Sequence, residues 1–216
     1  MILSRIYILS ICLFCFFNTK AQAPENELQN QKAPAVFRAL FKTNKGDFII
    51  EAHRDWSPKG VYRLYQLIRS GFYDNTVLFR VEQNFVIQFG ISDTPAVNRF
   101  WDARKIPDEP VLMKNEKGII SYARGGVNDR ATQLFINTAN NPLLDTVLRA
   151  GLKGYTPIAK VIQGMDVVAG FNGKYGRSTL AIQDSVYKYG NRYLETHYPG
   201  LDRILSAKLI QWRLNL

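Results

Sequence analysis

Short β-rich runs, separated by loops rich in Gly, Asn, Asp and Pro, dominate the body of this 216-residue chain. Two of them, VFRALFKT and DFIIEAH, flank the turn signal Asn44-Lys45-Gly46 and predict a hairpin. Further strands are predicted at Val77–Val81, Phe85–Phe89, Gly118–Tyr122, Gln133–Thr138, Pro157–Ile162 and Ala207–Trp212. Many short strands with few helices favour a closed barrel or a sandwich over a βαβ sheet.

Helical patterns occur at few places. Ser57-Pro58 supplies an N-cap and an N1 proline for a helix that ends at Gly71. The residues predicted on its apolar face are Val61, Leu64, Tyr65 and Ile68. Further helical segments are predicted at Met165–Gly170, Asp184–His197 and Leu201–Ser206.

The first residues are typical of a secretory signal peptide. One early cation, Arg5, precedes an apolar run and a small-residue site at Ala21-Gln22-Ala23. The alternative is a transmembrane anchor, but the apolar run has about twelve residues against the roughly twenty needed to cross a bilayer. We therefore predict a signal peptide over residues 1–21, with cleavage after Ala23 as an alternative, and no integral membrane span in the mature chain. Residues 22–35 are interpreted as a flexible leader and 36–212 as one domain.

Composition excludes several kinds of site. Cys12 and Cys15 both lie in the segment predicted to be removed, and the chain has two histidines, His53 and His197. That leaves no disulfide framework, thiolate zinc site or cysteine nucleophile in the domain, so no metal and no cofactor are expected. The net charge of +10 raises nucleic acid as an alternative partner. The cations are scattered, with no run longer than Arg104-Lys105, and no nucleic-acid partner is predicted.

Alternation along three strands sorts the side chains between two faces. One face is predicted to be apolar in each strand: Phe79 and Val81, Ile87 and Phe89, and Leu134 and Ile136. The other face mixes apolar with long polar side chains: Leu78, Arg80, Glu82, Val86, Gln88, Gln133, Phe135 and Asn137. Such an outer surface could form a groove for a polypeptide. The pattern alone favours a plainer interpretation, in which Arg80 is a solvated cation and Phe135 lies at the edge of the core.

Four segments together resemble one known family. FRVEQNFVIQFG is followed in order by GIISYARGG, TQLFINT and GYTPIAKVIQGMDVV, and this order is similar to the cyclophilin-type peptidyl-prolyl isomerases from roughly Val36 to Phe171. The pattern is most similar to bacterial exported members with a C-terminal extension. The resemblance implies a mainly β fold: a closed eight-stranded antiparallel barrel, capped by two helices, with a substrate groove outside. The extension, residues 172–206, is predicted to be a helical insertion before the last strand.

The resemblance also implies the site residues. Arg80 aligns with the catalytic arginine, Phe85 with the aromatic residue after a tight turn, and Gln88 with the glutamine of the next strand. Substrate-binding positions fall on Val86, Ala123, Arg124, Gln133, Phe135, Leu143 and Tyr155. Leu143 stands where many members have tryptophan, Tyr155 where they have histidine and Arg124 where they have asparagine. Because Leu143 lacks the indole N–H donor of that tryptophan, we expect weak binding of the cyclic-peptide inhibitor cyclosporin. The loop Asn140–Gly154 is predicted to be longer than usual.

The implied function is peptidyl-prolyl cis-trans isomerisation. The expected substrates are proline-containing polypeptides that are exported to a bacterial periplasm or secreted, and the reaction would assist their folding. This reaction needs no nucleophile, metal or general base, consistent with the composition. The alternative is a non-catalytic peptide-binding or chaperone-like module that uses the same groove. A monomer is expected. The sequence does not identify the client proteins or the preferred residue before proline.

Overall fold

The structure is a computed structural model that describes residues 32–211. The predicted signal peptide, most of the predicted leader and Trp212 lie outside the described residues. Ala33, which falls in the predicted leader, is buried in the core, and its carbonyl accepts a hydrogen bond of 2.9 Å from Arg54. No helix within residues 32–211 is long and apolar enough to cross a membrane.

The described chain is mainly β, as predicted. Its strands are β1 (Val36–Thr43), β2 (Gly46–His53), β3 (Thr76–Val77), β4 (Arg80–Val81), β5 (Val86–Phe89), β6 (Ile119–Tyr122), β7 (Leu134–Asn137), β8 (Leu148–Arg149), β9 (Leu152–Lys153), β10 (Pro157–Gln163) and β11 (Arg203–Ile210). Its helices are α1 (Pro58–Arg69), α2 (Pro95–Asp102), α3 (Leu143–Thr146), α4 (Met165–Ala169), a 3₁₀ helix (Arg177–Ile182), α5 (Gln183–Tyr189) and α6 (Asn191–His197). Nine strands form one curled antiparallel sheet in the order β3-β11-β1-β2-β10-β6-β7-β5-β4, while β8 pairs with β9.

The predicted hairpin forms from β1 and β2, which pair from Val36 opposite His53 to Thr43 opposite Gly46. Gly46 has φ 125°, a backbone conformation that favours glycine. Alternate residues of both strands are buried, and the rings of Phe41 and Phe48 stack with centroids 5.0 Å apart. The hairpin thereby contributes one wall of the main core.

Helix α1 begins at Pro58 and buries Val61 and Leu64 against this core. Ser57 occupies the predicted N-cap position, but its side chain makes no capping hydrogen bond to the helix. The hydroxyl of Ser57 instead donates to Glu109, whose carboxylate also accepts the backbone N–H of Lys59 at 2.8 Å and of Gly60 at 3.1 Å. A carboxylate from a distant loop therefore satisfies the free N–H groups of the first turn.

The expected closed eight-stranded barrel is corrected to an open sheet of nine strands. The segment predicted as one strand, Val77–Val81, is divided between β3 and β4, which form opposite edges of the sheet. Leu78 and Val81 both enter the main core, whereas Phe79 packs in a second cluster. A continuous strand cannot place residues three apart on one face, so the chain breaks between the two strands. The expectation that Phe79 and Val81 share a face is wrong for the same reason.

The segment before β11 contains the predicted helical insertion, but two of its details differ. The predicted helix Asp184–His197 is interrupted at Gly190, whose backbone has φ 67° and ψ −157°. The predicted helix Leu201–Ser206 is wrong, since β11 begins at Arg203 and Ser206 pairs with Lys42 of β1. Pairing with a distant strand overrode the local pattern there. Helix α2, which the sequence did not reveal, begins at Pro95.

Candidate active site

Three neighbouring strands at one edge of the sheet bring the main site residues into a row. Arg80 of β4 pairs with Gln88 of β5, and Gln88 pairs with Phe135 of β7. Residues opposite one another on adjacent strands point to the same face. The register therefore places an arginine, a glutamine and a phenylalanine side by side, although they are far apart in the sequence.

Hydrogen bonds fix the polar members of this row. The Arg80 Nη1 donates to Gln88 Oε1 at 3.0 Å, and Gln88 Nε2 donates to Gln133 Oε1 at 2.8 Å. The Nε of Arg80 also donates to Glu82 at 2.7 Å. Because a guanidinium can only donate, Gln88 must turn its oxygen to Arg80 and its nitrogen to Gln133. The Arg80 side chain is 14% exposed, so the guanidinium is held at the surface of the site in a defined position.

A tight turn places an aromatic ring beside Arg80. Asn84 has φ 58°, and the N–H of Phe85 donates to the carbonyl of Glu82 at 3.1 Å. The carbonyl of Phe85 accepts hydrogen bonds of 2.9 Å from the Asn141 side chain and the Thr138 N–H. The Phe85 ring centroid lies 5.6 Å from the guanidinium carbon of Arg80. The turn and these hydrogen bonds thus hold the ring against the cation.

The row borders a cavity of about 1030 Å³. Val86 and Phe135 are 2% and 5% exposed and form an apolar part of its wall, which the Tyr155 ring extends by edge contact with Phe135 at 5.5 Å. The predicted site residues that line this cavity are Arg80, Phe85, Val86, Gln88, Ala123, Arg124, Gln133, Phe135 and Tyr155. The structure therefore assembles nearly all of the predicted set around one space.

Leu143 is the exception, and its predicted place in the proline-holding wall is wrong. Its side chain is 78% exposed and lies outside the cavity wall, which contains Leu144 instead. The two leucines begin the short helix α3, where successive side chains are rotated by about 100°. Only one of them can face the cavity.

Arg124 lines the cavity, but its charged end serves the neighbouring loop. Its guanidinium donates to the carbonyls of Arg149 and Leu152 at 3.2 Å and of Gly154 at 2.6 Å. The side chain is buried and lies over the Tyr155 ring at 5.0 Å. These contacts hold the hairpin of β8 and β9 and use three of the five N–H donors of the guanidinium. The substrate-binding role of Arg124 stays a prediction.

The far side of the cavity comes from segments that the sequence analysis did not assign to the site. Helix α2 contributes Pro95, Arg99 and Asp102, and the segment before β11 contributes Arg177, Leu180, Gln183, Asp184, Tyr187 and Lys188. Gln133 Nε2 donates to Gln183 Oε1 at 3.0 Å and to the Tyr187 hydroxyl at 3.2 Å. The only signal in the sequence is the spacing of four between Gln183 and Tyr187, which puts them on one helix face.

This far side is charged. Burial raises the pKa of Asp102, although the nearby charge of Lys105 opposes the change. Burial acts in the same direction on Asp129, but hydrogen bonds from Lys105 and from the Gly125 N–H lower its pKa overall. The cavity is thus lined by apolar side chains such as Phe135 and by charged side chains such as Asp102 and Lys105. Within residues 32–211 no three His, Cys, Asp or Glu side chains meet in a group that could hold a metal ion.

The sequence matches a known protein family and several of its curated members. The family model for cyclophilin-type peptidyl-prolyl cis-trans isomerases matches residues 38–185, more than half of the chain. Peptidyl-prolyl cis-trans isomerase B of Escherichia coli is 35% identical over 150 residues, which cover 65% of this chain and 87% of that protein. A peptidyl-prolyl cis-trans isomerase of Acinetobacter baylyi is 34% identical over 128 residues, covering 59% and 67%.

Solved structures show the same fold. A crystal structure of a cyclophilin-type peptidyl-prolyl cis-trans isomerase from Cryptosporidium parvum matches with a TM-score of 0.58 at 21% identity, covering 82% of this chain and 99% of that one. A structure of the same protein in the presence of the dipeptide Ala-Pro has a TM-score of 0.53 at 22% identity, covering 81% and 99%. The chain therefore belongs to the cyclophilin-type peptidyl-prolyl cis-trans isomerases, and the enzyme class expected from the sequence is confirmed.

Proposed function

We propose that this isomerase accelerates rotation about X-Pro bonds in exported polypeptides and so assists their folding, with Arg80 as its catalytic donor. The observation that carries the assignment is the Arg80 guanidinium, fixed by Glu82 and Gln88 beside an apolar wall. The solved structure of a family member in the presence of the dipeptide Ala-Pro supports proline peptides as the ligand class.

The chemistry requires little more than this arrangement. Rotation about a peptide bond faces a barrier of about 18–20 kcal/mol because the C–N bond has partial double-bond character. Acceleration by a thousandfold needs about 4 kcal/mol of preferential binding to the transition state. In that state the prolyl nitrogen regains its lone pair, which a positioned N–H donor stabilises more than it stabilises the planar amide.

Each residue of the row has a part in this proposal. Arg80 keeps N–H donors for the substrate beyond those it gives to Glu82 and Gln88. Phe85, Val86 and Phe135 hold the proline ring by burying its apolar surface. The site thus fixes the proline ring, and Arg80 donates to the prolyl nitrogen. The part of the peptide that precedes the proline stays free to rotate.

The direct test is a spectroscopic isomerisation assay with a proline-containing test peptide. We expect the exchange rate to rise in proportion to protein concentration, because every turnover uses the same site. A module that only binds peptides would bind the test peptide, detected by calorimetry, and leave the exchange rate unchanged. That result would favour the alternative of a peptide-holding chaperone.

Export is proposed from the pattern of residues 1–23, namely Arg5, the apolar run after it and the small residues at Ala21-Gln22-Ala23. Mass spectrometry of the protein recovered from the periplasm or medium should give a chain that starts at Gln22, or at Pro24 if cleavage follows Ala23. A recovered chain that still carries Met1 would contradict the proposal.

A further inference from the structure

The segment between α4 and β11, residues 172–202, packs beside the strand that carries Arg80; we refer to it as the insertion. Phe79, which precedes Arg80, packs with Val186 and Leu194 of the insertion. Val81, which follows Arg80, forms an antiparallel bridge with Gly176. Both neighbours of the arginine in the chain are thus held by the insertion.

This attachment matters because β4 is an edge strand of only two residues. One side of it pairs with β5, and the other has no strand partner within the described sheet. Edge strands expose unpaired backbone groups, and proteins commonly cover them with a helix or loop. Here the bridge at Gly176 and the 3₁₀ helix after it cover the edge beside Arg80.

Helix α5 reaches the same site from a second direction. Val186 is buried in the second cluster, while Gln183 and Tyr187, one turn apart, face Gln133. Gly190 ends the helix, where the N–H of Asn191 donates to the Asp93 side chain at 2.7 Å and Asn191 Nδ2 donates to the Asn75 carbonyl at 2.7 Å. The helix is therefore anchored to the body of the domain at its end and along one face.

A chain of hydrogen bonds connects Arg80 to α5, and in each of them the residue nearer to Arg80 is the donor. Gln183 Oε1 and the Tyr187 hydroxyl both accept from Gln133 Nε2. That leaves Gln133 Oε1 to accept from Gln88, and Gln88 Oε1 to accept from Arg80. A rotated Gln133 carboxamide would set two NH₂ groups against each other at Gln88. The clash at Gln88 excludes that rotated form, and Gln183 and Tyr187 hold the Gln133 carboxamide in the remaining orientation from its other end.

We propose that the insertion is a positioning element of the active site, in which Gln183 and Tyr187 orient Gln133 and, through Gln88, the Arg80 guanidinium. This inference rests on the proposed isomerase role of Arg80. The family model matches only as far as residue 185, so part of this element lies beyond the shared pattern. Tyr187 is half-buried, and this burial raises the pKa of its hydroxyl although the hydrogen bond from Gln133 opposes the change.

The variants Tyr187→Phe and Gln183→Leu remove the two acceptors while keeping side-chain size. We expect the double variant to lower kcat by about fivefold, the effect of one net hydrogen bond, with a smaller change in KM. KM should change less because the apolar wall that holds the proline is untouched. Tyr193→Phe, which removes a hydroxyl from the insertion outside the cavity wall, is the matched control and should leave both constants unchanged.

A double-mutant cycle tests whether the effect passes through Gln133. In a Gln133→Leu background the α5 substitutions should have no further effect on kcat, because the connection is already lost. A full fivefold loss in that background, or unchanged kcat in the α5 variants, would overturn the inference. Thermal melting should show that each variant retains its fold; if the double variant melts early, the single Tyr187→Phe variant serves in the same cycle.

A readout that does not depend on catalysis separates this inference from the proposed function. The side-chain NH₂ resonances of Gln88 and Gln133 in ¹⁵N-edited NMR spectra should both shift in Tyr187→Phe and stay in place in Tyr193→Phe. Unshifted Gln88 would overturn the coupling even in an active enzyme. If the resonances shift but the protein has no isomerase activity, the coupling is supported and the proposed catalytic role of Arg80 is rejected.

Discussion

Arg80→Ala is expected to slow X-Pro isomerisation at least tenfold while leaving the fold intact. A tenfold loss corresponds to about 1.4 kcal/mol of transition-state stabilisation, the scale of a hydrogen bond from a charged donor. The apolar wall of Val86 and Phe135 stays in place, so the variant should still bind proline peptides. The measurement is kcat/KM for a proline test peptide, together with a binding isotherm for the same peptide.

Two further variants make the Arg80 result specific. Arg80→Lys keeps the positive charge but loses the planar guanidinium that hydrogen-bonds Glu82 and Gln88 at the same time. We therefore expect its activity to lie between that of Arg80→Ala and that of the wild-type protein. Arg69→Ala removes an exposed arginine at the end of α1, away from the cavity, and should retain full activity. Unchanged activity in Arg80→Ala would reject Arg80 as the catalytic donor.

Arg130→Met is expected to destabilise the protein by about 3 kcal/mol, as removal of one partner of a buried ion pair does. Arg130 is 1% exposed, and its guanidinium lies 3.0 Å from Glu109 and 3.8 Å from Asp108. It also donates to the carbonyl of Pro107. Removing it leaves the Glu109 carboxylate largely buried without its counter-charge. Urea denaturation of both proteins at pH 7 measures the difference.

Glu109 supplies the control for this prediction. Burial alone would raise the pKa of Glu109, but hydrogen bonds from Ser57, from the N–H groups of Lys59 and Gly60, and from Arg130 lower it below its ordinary value of 4.5. A carboxyl with a lowered pKa stabilises the fold above the unfolded-state value, and this contribution is lost as the pH falls through the folded-state value.

Wild-type stability should therefore fall as the pH drops below the ordinary value of 4.5, and part of this fall should be absent in Glu109→Gln. Because Glu109 and Arg130 are in contact, the double variant Arg130→Met/Glu109→Gln should lose less than the sum of the single variants. Additive losses, or a loss below about 1 kcal/mol in Arg130→Met, would contradict a structural role for the pair.

Alternation and turn signals predicted those parts of the site that depend on neighbours along the chain. The two-residue period of a strand places Arg80 and Gln88 on an outer face from the sequence alone, and Asn44-Lys45-Gly46 forecast the first hairpin. The same rule failed at Leu78–Phe79, because the chain there leaves one edge of the sheet and joins the other. The two-residue alternation of side chains between faces applies only within one continuous strand, so it does not predict faces across this break.

The resemblance to a family supplied residue positions but not orientations. Leu143 and Leu144 are neighbours in the sequence, and the turn of α3 determines which of them lines the cavity. Arg124 sits at the cavity, yet three loop carbonyls take its donors. Both outcomes depend on how residues 140–154 fold against the sheet.

The sequence alone thus predicted the family, the mainly β fold and the candidate site residues around Arg80. These features follow from short-range periodicity and from motifs in a fixed order. The open edge of the sheet, the start of β11 and the contact of α5 with Gln133 could not be read from the sequence. Each depends on pairing between segments tens of residues apart, as between Gln133 and Tyr187, and local propensity carries no information about such contacts.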